Sequence, residues 1–251
     1  MLVVAGLNAG PAAGSGPTSD SPAGGGDTVV AYSLPDLREL GRTSFQANMG
    51  PLVVGVTADR RTLLRGAQGS PGPSDTAVLD LRTNTLHRAA EAWAWDLSGD
   101  GRALRRVDPL GRDANGKPLP GISCLDVVAL TDTLPTGRTG LCANVAGTVQ
   151  QGLLSPDGTW AVLSTMDSGM VLVRTTDLHA GRWAPVQVGQ QGGERGGERG
   201  GRSADFWTAD GALIVSDIDR YARCATDGRC TPLTLPAGGK PIPRRAGAAG
   251  R

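Results

Sequence analysis

The sequence predicts an all-β chain, a β-propeller of about five four-stranded blades with the first blade incomplete. Two recurring patterns and the composition predict it. The first pattern is a turn between strand-like runs, clearest at Leu154-Ser155-Pro156-Asp157-Gly158-Thr159-Trp160-Ala161-Val162-Leu163. Variants lie at 56–64, 97–104 and 207–215, so the turn aspartates are Asp59, Asp100, Asp157 and Asp210, spaced by 41, 57 and 53 residues. Asp-Gly suits a hairpin turn, because glycine takes φ > 0 at no steric cost and aspartate tolerates it. The second pattern is a β-branched apolar run that turns polar, at 28–36, 76–84, 126–132 and 170–177. The two patterns alternate, as a series of blades requires. In composition, 38 Gly and 17 Pro among 251 residues supply many turns. Aromatics are only 4%, so Val, Leu and Ala must fill the core.

Taken in order, Leu2-Val3-Val4-Ala5-Gly6 stands where the second strand (b) of a blade belongs, after which the Gly/Pro/Ser tract 7–26 replaces a b–c loop. Strands c and d follow near 28–33 and 37–42. The first blade therefore lacks strand a; the alternative is a disordered tail or the remnant of an anchor. Blades two to five cover about 51–89, 92–145, 147–189 and 204–236. The propeller as a whole spans 1–236, with 7–26 and 190–203 as flexible insertions. The second insertion duplicates Gly-Gly-Glu-Arg, and Gly-rich polar sequence buries too little apolar surface to order itself. Residues 237–251 carry no strand pattern and are expected to be disordered. Either five blades close imperfectly, or the chain is a piece of a longer propeller.

A net charge of +1 gives no case for nucleic acid or an anionic membrane surface. The excess of Arg over Lys, which occurs only at Lys117 and Lys240, and the Ala and Gly load fit a GC-rich bacterial genome. No stretch approaches 18 apolar residues, and the opening residues lack a signal peptide's basic start. A membrane tether would need a segment upstream.

Cys124 and Cys142 are centred on Thr133, and Cys224 and Cys230 on Asp227, each pair about a c–d turn. That symmetry brings cross-strand Cβ atoms within reach, so two disulfides, Cys124–Cys142 and Cys224–Cys230, are expected. Zinc is the poorer reading, because neither pair has the short ligand spacing and His87 and His179 fall in unrelated turns. Disulfides imply an oxidising, extracytoplasmic compartment.

The run 154–163, followed by Met170-Val171-Leu172-Val173, resembles TolB-like and related WD-repeat-like bacterial propellers, whose blades carry a similar Ser-Pro-Asp-Gly turn. The resemblance covers about 50–236 and is close only in the fourth blade. It implies a scaffold fold whose members usually bind proteins, peptides or small ligands.

No nucleophile elbow, Ser-x-x-Lys, zinc-helix or phosphate-loop motif occurs, and no cofactor or metal is expected. Asp217-Ile218-Asp219 reads as a b–c turn rather than a calcium site. Asp96, Asp108, Asp113 and Asp205 are the acids that strands of different blades could bring together for glycoside chemistry. Trp93 and Trp95 alternate on one side of a strand a, where they could stack on a ligand, whereas Trp160 reads as core. The long segments all fall on b–c or d–a connections, on one face of the blades. Recognition is expected there, at Arg105, Arg106, Arg112, Asp113 and Lys117 around the longest ordered loop. The expected function is a non-enzymatic, monomeric, extracytoplasmic scaffold binding a protein, peptide or surface ligand. The alternatives are the gating portion of a hydrolase such as a serine peptidase and an inactive gene fragment.

Overall fold

A computed structural model describes residues 2–6, 27–32, 36–45, 51–66, 76–89, 92–107, 123–135, 137, 139–142, 149–166, 169–189, 203–217 and 220–234. The fold is a β-propeller of five antiparallel sheets, one of three strands and four of four. The first sheet is β1 (Leu2–Gly6), β2 (Asp27–Tyr32) and β3 (Glu39–Phe45). The second is β4 (Pro51–Val56), β5 (Arg61–Gly66), β6 (Thr76–Asp80) and β7 (Thr85–Ala89). The third is β8 (Ala92–Leu97), β9 (Arg102–Val107), β10 (Cys124–Ala129) and β11 (Leu141–Cys142). The fourth is β12 (Val149–Leu154), β13 (Trp160–Thr165), β14 (Gly169–Arg174) and β15 (Val186–Gln187). The fifth is β16 (Ser203–Trp207), β17 (Leu213–Asp217), β18 (Arg220–Cys224) and β19 (Cys230–Leu233). Every sheet runs in chain order. The insertion 7–26, most of 190–203 and the tail 237–251 lie outside the described residues; Ser203 itself opens β16, paired with Ser216.

By contacts the chain divides into two units, 1–94 with 130–136, and 95–129 with 137–251. In the first unit, β6 is buried along its whole length whereas β7 is exposed only at Thr85 and Arg88. A strand buried on both faces reads as an unbroken apolar run, and Ala77-Val78-Leu79 does, between buried Thr76 and Asp80. Val29 and Ala31 of β2 pack with Leu64, Ala77, Leu79 and Leu81. In the second unit, Val162 and Leu172 pack with Trp207, Leu213, Val215 and Cys224. A glycine makes one close approach possible there: a Cβ on Gly152 of β12 would meet Leu104 Cδ2 at 2.5 Å.

The repeated turn is richer than an Asp-Gly hairpin. Gly101, Gly158 and Gly211 each donate N–H to the carbonyl three residues back, as Arg60 does, at 2.9–3.1 Å. All four lie at φ +66 to +83 or, for Arg60, +70. This is a type I turn closed by a left-handed residue, the longer hairpin loop that widens into a bulge. The Ser or Thr at its head explains its own recurrence. Thr57, Ser98, Ser155 and Thr208 donate Oγ–H to Asp59, Asp100, Asp157 and Asp210. The same oxygens accept backbone N–H from Arg61, Arg102, Trp160 and Ala212 at 2.9–3.0 Å. In the second, fourth and fifth sheets the first strand slips register by one residue against its neighbour.

Three expectations about Thr175–His179, His87 and Trp160 need correction. Thr175–His179, read as a polar turn, is a short helix (α1), followed by β15. His87 lies within β7 rather than in a turn. Trp160 is only half-buried, because it opens β13 opposite Arg174, whose guanidinium stacks 4.9 Å from the ring centroid.

Candidate functional site

Chemistry that repeats from sheet to sheet serves the turns. Chemistry that occurs once is the place to look for function, and β9 carries much of it. Successive residues of a strand face opposite sides of its sheet. Arg105 and Arg106 therefore part company.

Arg105 is 1% exposed, so it belongs to the strand interior and not to a loop surface, which corrects its expected place. It lies opposite Asp126, which is fully buried at the centre of the apolar run 124–129. Nη2 of Arg105 donates to Gly137 O at 2.9 Å and Thr139 Oγ1 at 3.1 Å. Thr139 in turn donates to Asp126 Oδ2, and Val127 N–H donates to Oδ1 at 2.8 Å. Nδ1 of His179, at the end of α1, lies 3.1 Å from Oδ1. Burial holds the Arg105 guanidinium below its ordinary pKa, and the charge of Asp126 opposes that. Gly140 makes the crossing possible: at φ +74, a Cβ would sit 2.6 Å from Leu125 O and 2.7 Å from Asp126 Cγ. The imidazole is two-thirds exposed and held by a carboxylate that solvent does not reach. Thr139, Asp126 and His179 were not anticipated. The signal was one acid within Leu125-Asp126-Val127-Val128, matched by an arginine in the preceding strand.

Arg106, on the other side, lies 5.8 Å from the Trp95 ring centroid and donates to Val149 O at 3.5 Å. Trp95 is 6% exposed. In the first unit, Arg65 lies 5.6 Å from the ring of half-buried Trp93 and donates to Ala94 O at 3.4 Å. Each pair is within cation–π range.

Arg112, Asp113, Lys117 and Asp108 lie outside the described residues, as does Asp219. Asp96 is turned to a structural use, accepting Leu154 N–H at 2.7 Å. Asp205 accepts from Ser203 and Ser216 at 3.1 and 2.9 Å, beside a shallow recess lined by Gln151, Gly152, Ser164 and Ser203. Among the described residues no group of three His, Cys, Asp or Glu side chains could hold a metal. No described helix is long and apolar enough to cross a membrane.

Both expected disulfides are present. Cys124–Cys142 and Cys224–Cys230 are directly opposed in register, with Cα atoms 4.0 Å apart in each pair. Such pairs are consistent with an oxidising environment.

No protein-family profile and no curated protein matches the sequence. Among solved structures the chain is similar to a Dos1 propeller, at 7% identity and a TM-score of 0.45 over 83% of this chain. It spans about half (54%) of that chain. It is also similar to a catalytically inactive virginiamycin B lyase from Staphylococcus aureus solved with quinupristin. There the identity is 9% and the TM-score 0.46, over 86% of this chain and 69% of that one. These likenesses assign no activity.

Proposed function

We propose that this chain is a non-enzymatic, extracytoplasmic scaffold that binds a protein or peptide partner. One observation carries the reading. The repeated polar groups are used inside the turns, and outside them arginine is laid over tryptophan three times, at Arg65–Trp93, Arg106–Trp95 and Arg174–Trp160, the first two around the strand β8. Trp and Arg are the side chains most enriched where protein interfaces concentrate their binding energy. Arg65, Trp93 and Arg106 keep part of their surface open to solvent. The two disulfides support the compartment.

The test is selection of a displayed random-peptide library on the oxidised protein. Recovered peptides are expected to lose at least about tenfold in affinity on Trp93→Ala or Arg106→Ala, since one such anchor is worth about 2 kcal/mol. Unchanged melting curves would show that the variants remain folded. Failure to enrich any sequence, or equal binding by folded variants, would sink the proposal. Turnover of peptides, esters or glycosides by the pure chain would move the reading to an enzyme.

A further inference from the structure

The two disulfides bridge the same kind of register pair in different surroundings, and the difference singles out one of them. Cys224 is wholly buried in an apolar cluster with Trp207, Leu213 and Val215, and Cys230 packs against that cluster. Their strands, β18 and β19, pair at four positions. Cys124 is likewise buried, at 1% exposure, but Cys142 is exposed. β11 pairs with β10 at two positions, Cys124–Cys142 and Leu125–Leu141, so the bridge is a large part of what ties them. The backbone that leads into β11 is the one that covers Asp126. Thr139 donates to Asp126 Oδ2 and accepts from Arg105, and Gly140 passes so close that a Cβ there would meet Asp126 Cγ. Sγ of Cys142 lies 3.8 Å from Thr139 O. Helix α1, which carries His179, packs on both β10 and β11.

We propose that Cys142 is a site of thiol–disulfide exchange, and that modification there uncovers the Asp126 network. This goes beyond the binding role proposed above and does not rest on it. A thiolate attacks whichever disulfide sulfur it can reach, and exposed bridges are the labile, regulatory ones. Here the reachable sulfur is that of Cys142, because Cys124 is shielded. The thiolate's electron pair forms a new S–S bond to Cys142 Sγ. The bond between the two cysteines breaks, and its pair leaves on Cys124, which takes a proton from solvent. One disulfide replaces another, so no oxidant is consumed; the co-reactant is a thiol, of a small molecule or of a protein. Cys124 stays on β10, which pairs with β9 at six positions, and is placed to attack the mixed disulfide and restore the bridge. While Cys142 is modified, β11 loses its covalent tie. The crossing at Thr139 and Gly140 then loosens, and water reaches Asp126 and Arg105.

The test incubates the oxidised full chain with glutathione in one arm. The other arm uses a reduced Cys-x-x-Cys oxidoreductase whose second cysteine is replaced by serine, so that a mixed disulfide is trapped. Free thiols are alkylated, and peptide mass spectrometry reads each cysteine. The expected product carries the adduct on Cys142 and the alkyl group on Cys124, and forms at least about tenfold faster than any adduct on Cys224 or Cys230. Its rate should rise in proportion to thiol concentration, because the site is open in the folded protein. In the glutathione adduct, hydrogen exchange of residues 124–129 and 139–142 should quicken at least about tenfold, with 160–174 unchanged. Val127 N–H, bonded to Asp126 Oδ1, is the marker. Reaction in either arm supports the site and names the source of the thiol. Three results overturn it: adducts that form first on Cys124 or on the other bridge, a rate that levels off with thiol because the chain must first unfold, and no adduct in either arm while the urea-unfolded chain reacts fully. Unchanged exchange at 124–129 in the adduct overturns the link to Asp126.

Discussion

Arg105 and Asp126 are both buried and each faces the other across a strand pair, so neither charge can be lost alone without leaving its partner in a poorly solvated interior. Asp126→Ala or Arg105→Ala is expected to destabilise by about 3–5 kcal/mol, read from denaturant melts. An apolar replacement of both, Arg105→Met with Asp126→Leu, should recover much of that loss, since it leaves no orphaned charge. His179→Ala is expected to lose less than about 1 kcal/mol, because two-thirds of the imidazole is exposed and its contact is screened. If His179→Ala were as damaging as Asp126→Ala, the ring would be a structural pin. Acid sensitivity is expected from Asp80 and Asp157. Asp80 is held well below the usual carboxylate range by its hydrogen bonds and charge pairing with Arg82. Burial pushes Asp157 up, but hydrogen bonds from Ser155 and Thr159 outweigh it and leave it lowered. Lowered folded values mean stability that is present above about pH 4 and lost as pH falls through the folded values. Melting temperature is therefore expected to fall steeply below about pH 4, and Asp80→Asn to flatten that limb. A melt independent of pH in that range would contradict it.

At the scale of elements, the repeated turn sets where each blade folds back, and one turn is built against its own geometry. The left-handed position holds Gly in three sheets and Arg60, at φ +70, in the second. A non-glycine residue there is strained by roughly 1–2 kcal/mol, partly offset by glycine's greater freedom in the unfolded chain. Arg60→Gly should stabilise by about 0.5–1 kcal/mol, and Gly158→Ala should destabilise by at least as much, because its Cβ would sit 3.0 Å from Asp100 Oδ1. Parallel melts of the two variants check the sign; a destabilised Arg60→Gly would mean that the arginine's contacts outweigh its backbone. This turn was the most legible part of the sequence, because Ser or Thr, Asp and Gly each perform a separate local task within five residues. The strands beside it were legible for the same reason: apolar runs such as 77–79 declare burial without reference to distant partners. Helix α1 was not, since Thr175-Thr176-Asp177 is as good a turn as a first helical turn. Its choice of helix rests partly on tertiary neighbours, with Leu178 wholly buried and Thr175 Oγ1 donating to Gly158 O at 2.8 Å.

Across the molecule, what escaped sequence reading depends on distance along the chain. Arg105, Thr139 and His179 converge on Asp126 from up to 53 residues away, and no local pattern announces such a meeting. The disulfides were legible because each pair is symmetric about a single turn and so is fixed by local register. They also set an expectation for the whole. In the chain-entropy account a bridge stabilises by restricting the unfolded chain, more so for a longer loop. Separations of 18 and 6 residues correspond to about 3 and about 2 kcal/mol. Together these are a large share of the 5–15 kcal/mol that holds an ordinary domain folded. The longer bridge has a second role, since Cys124 is two residues from Asp126 and Cys142 two residues beyond Gly140, which crosses that carboxylate. Removing Cys124 and Cys142 together, as serines, should therefore lower the denaturation midpoint more than removing Cys224 and Cys230, beyond the loop-length difference. The excess should shrink when Asp126 is already replaced by Leu alongside Arg105→Met, because the two losses then share one cause. Additive effects in that comparison would mean that the bridge acts on the unfolded chain alone and that the Asp126 network holds its shape without it.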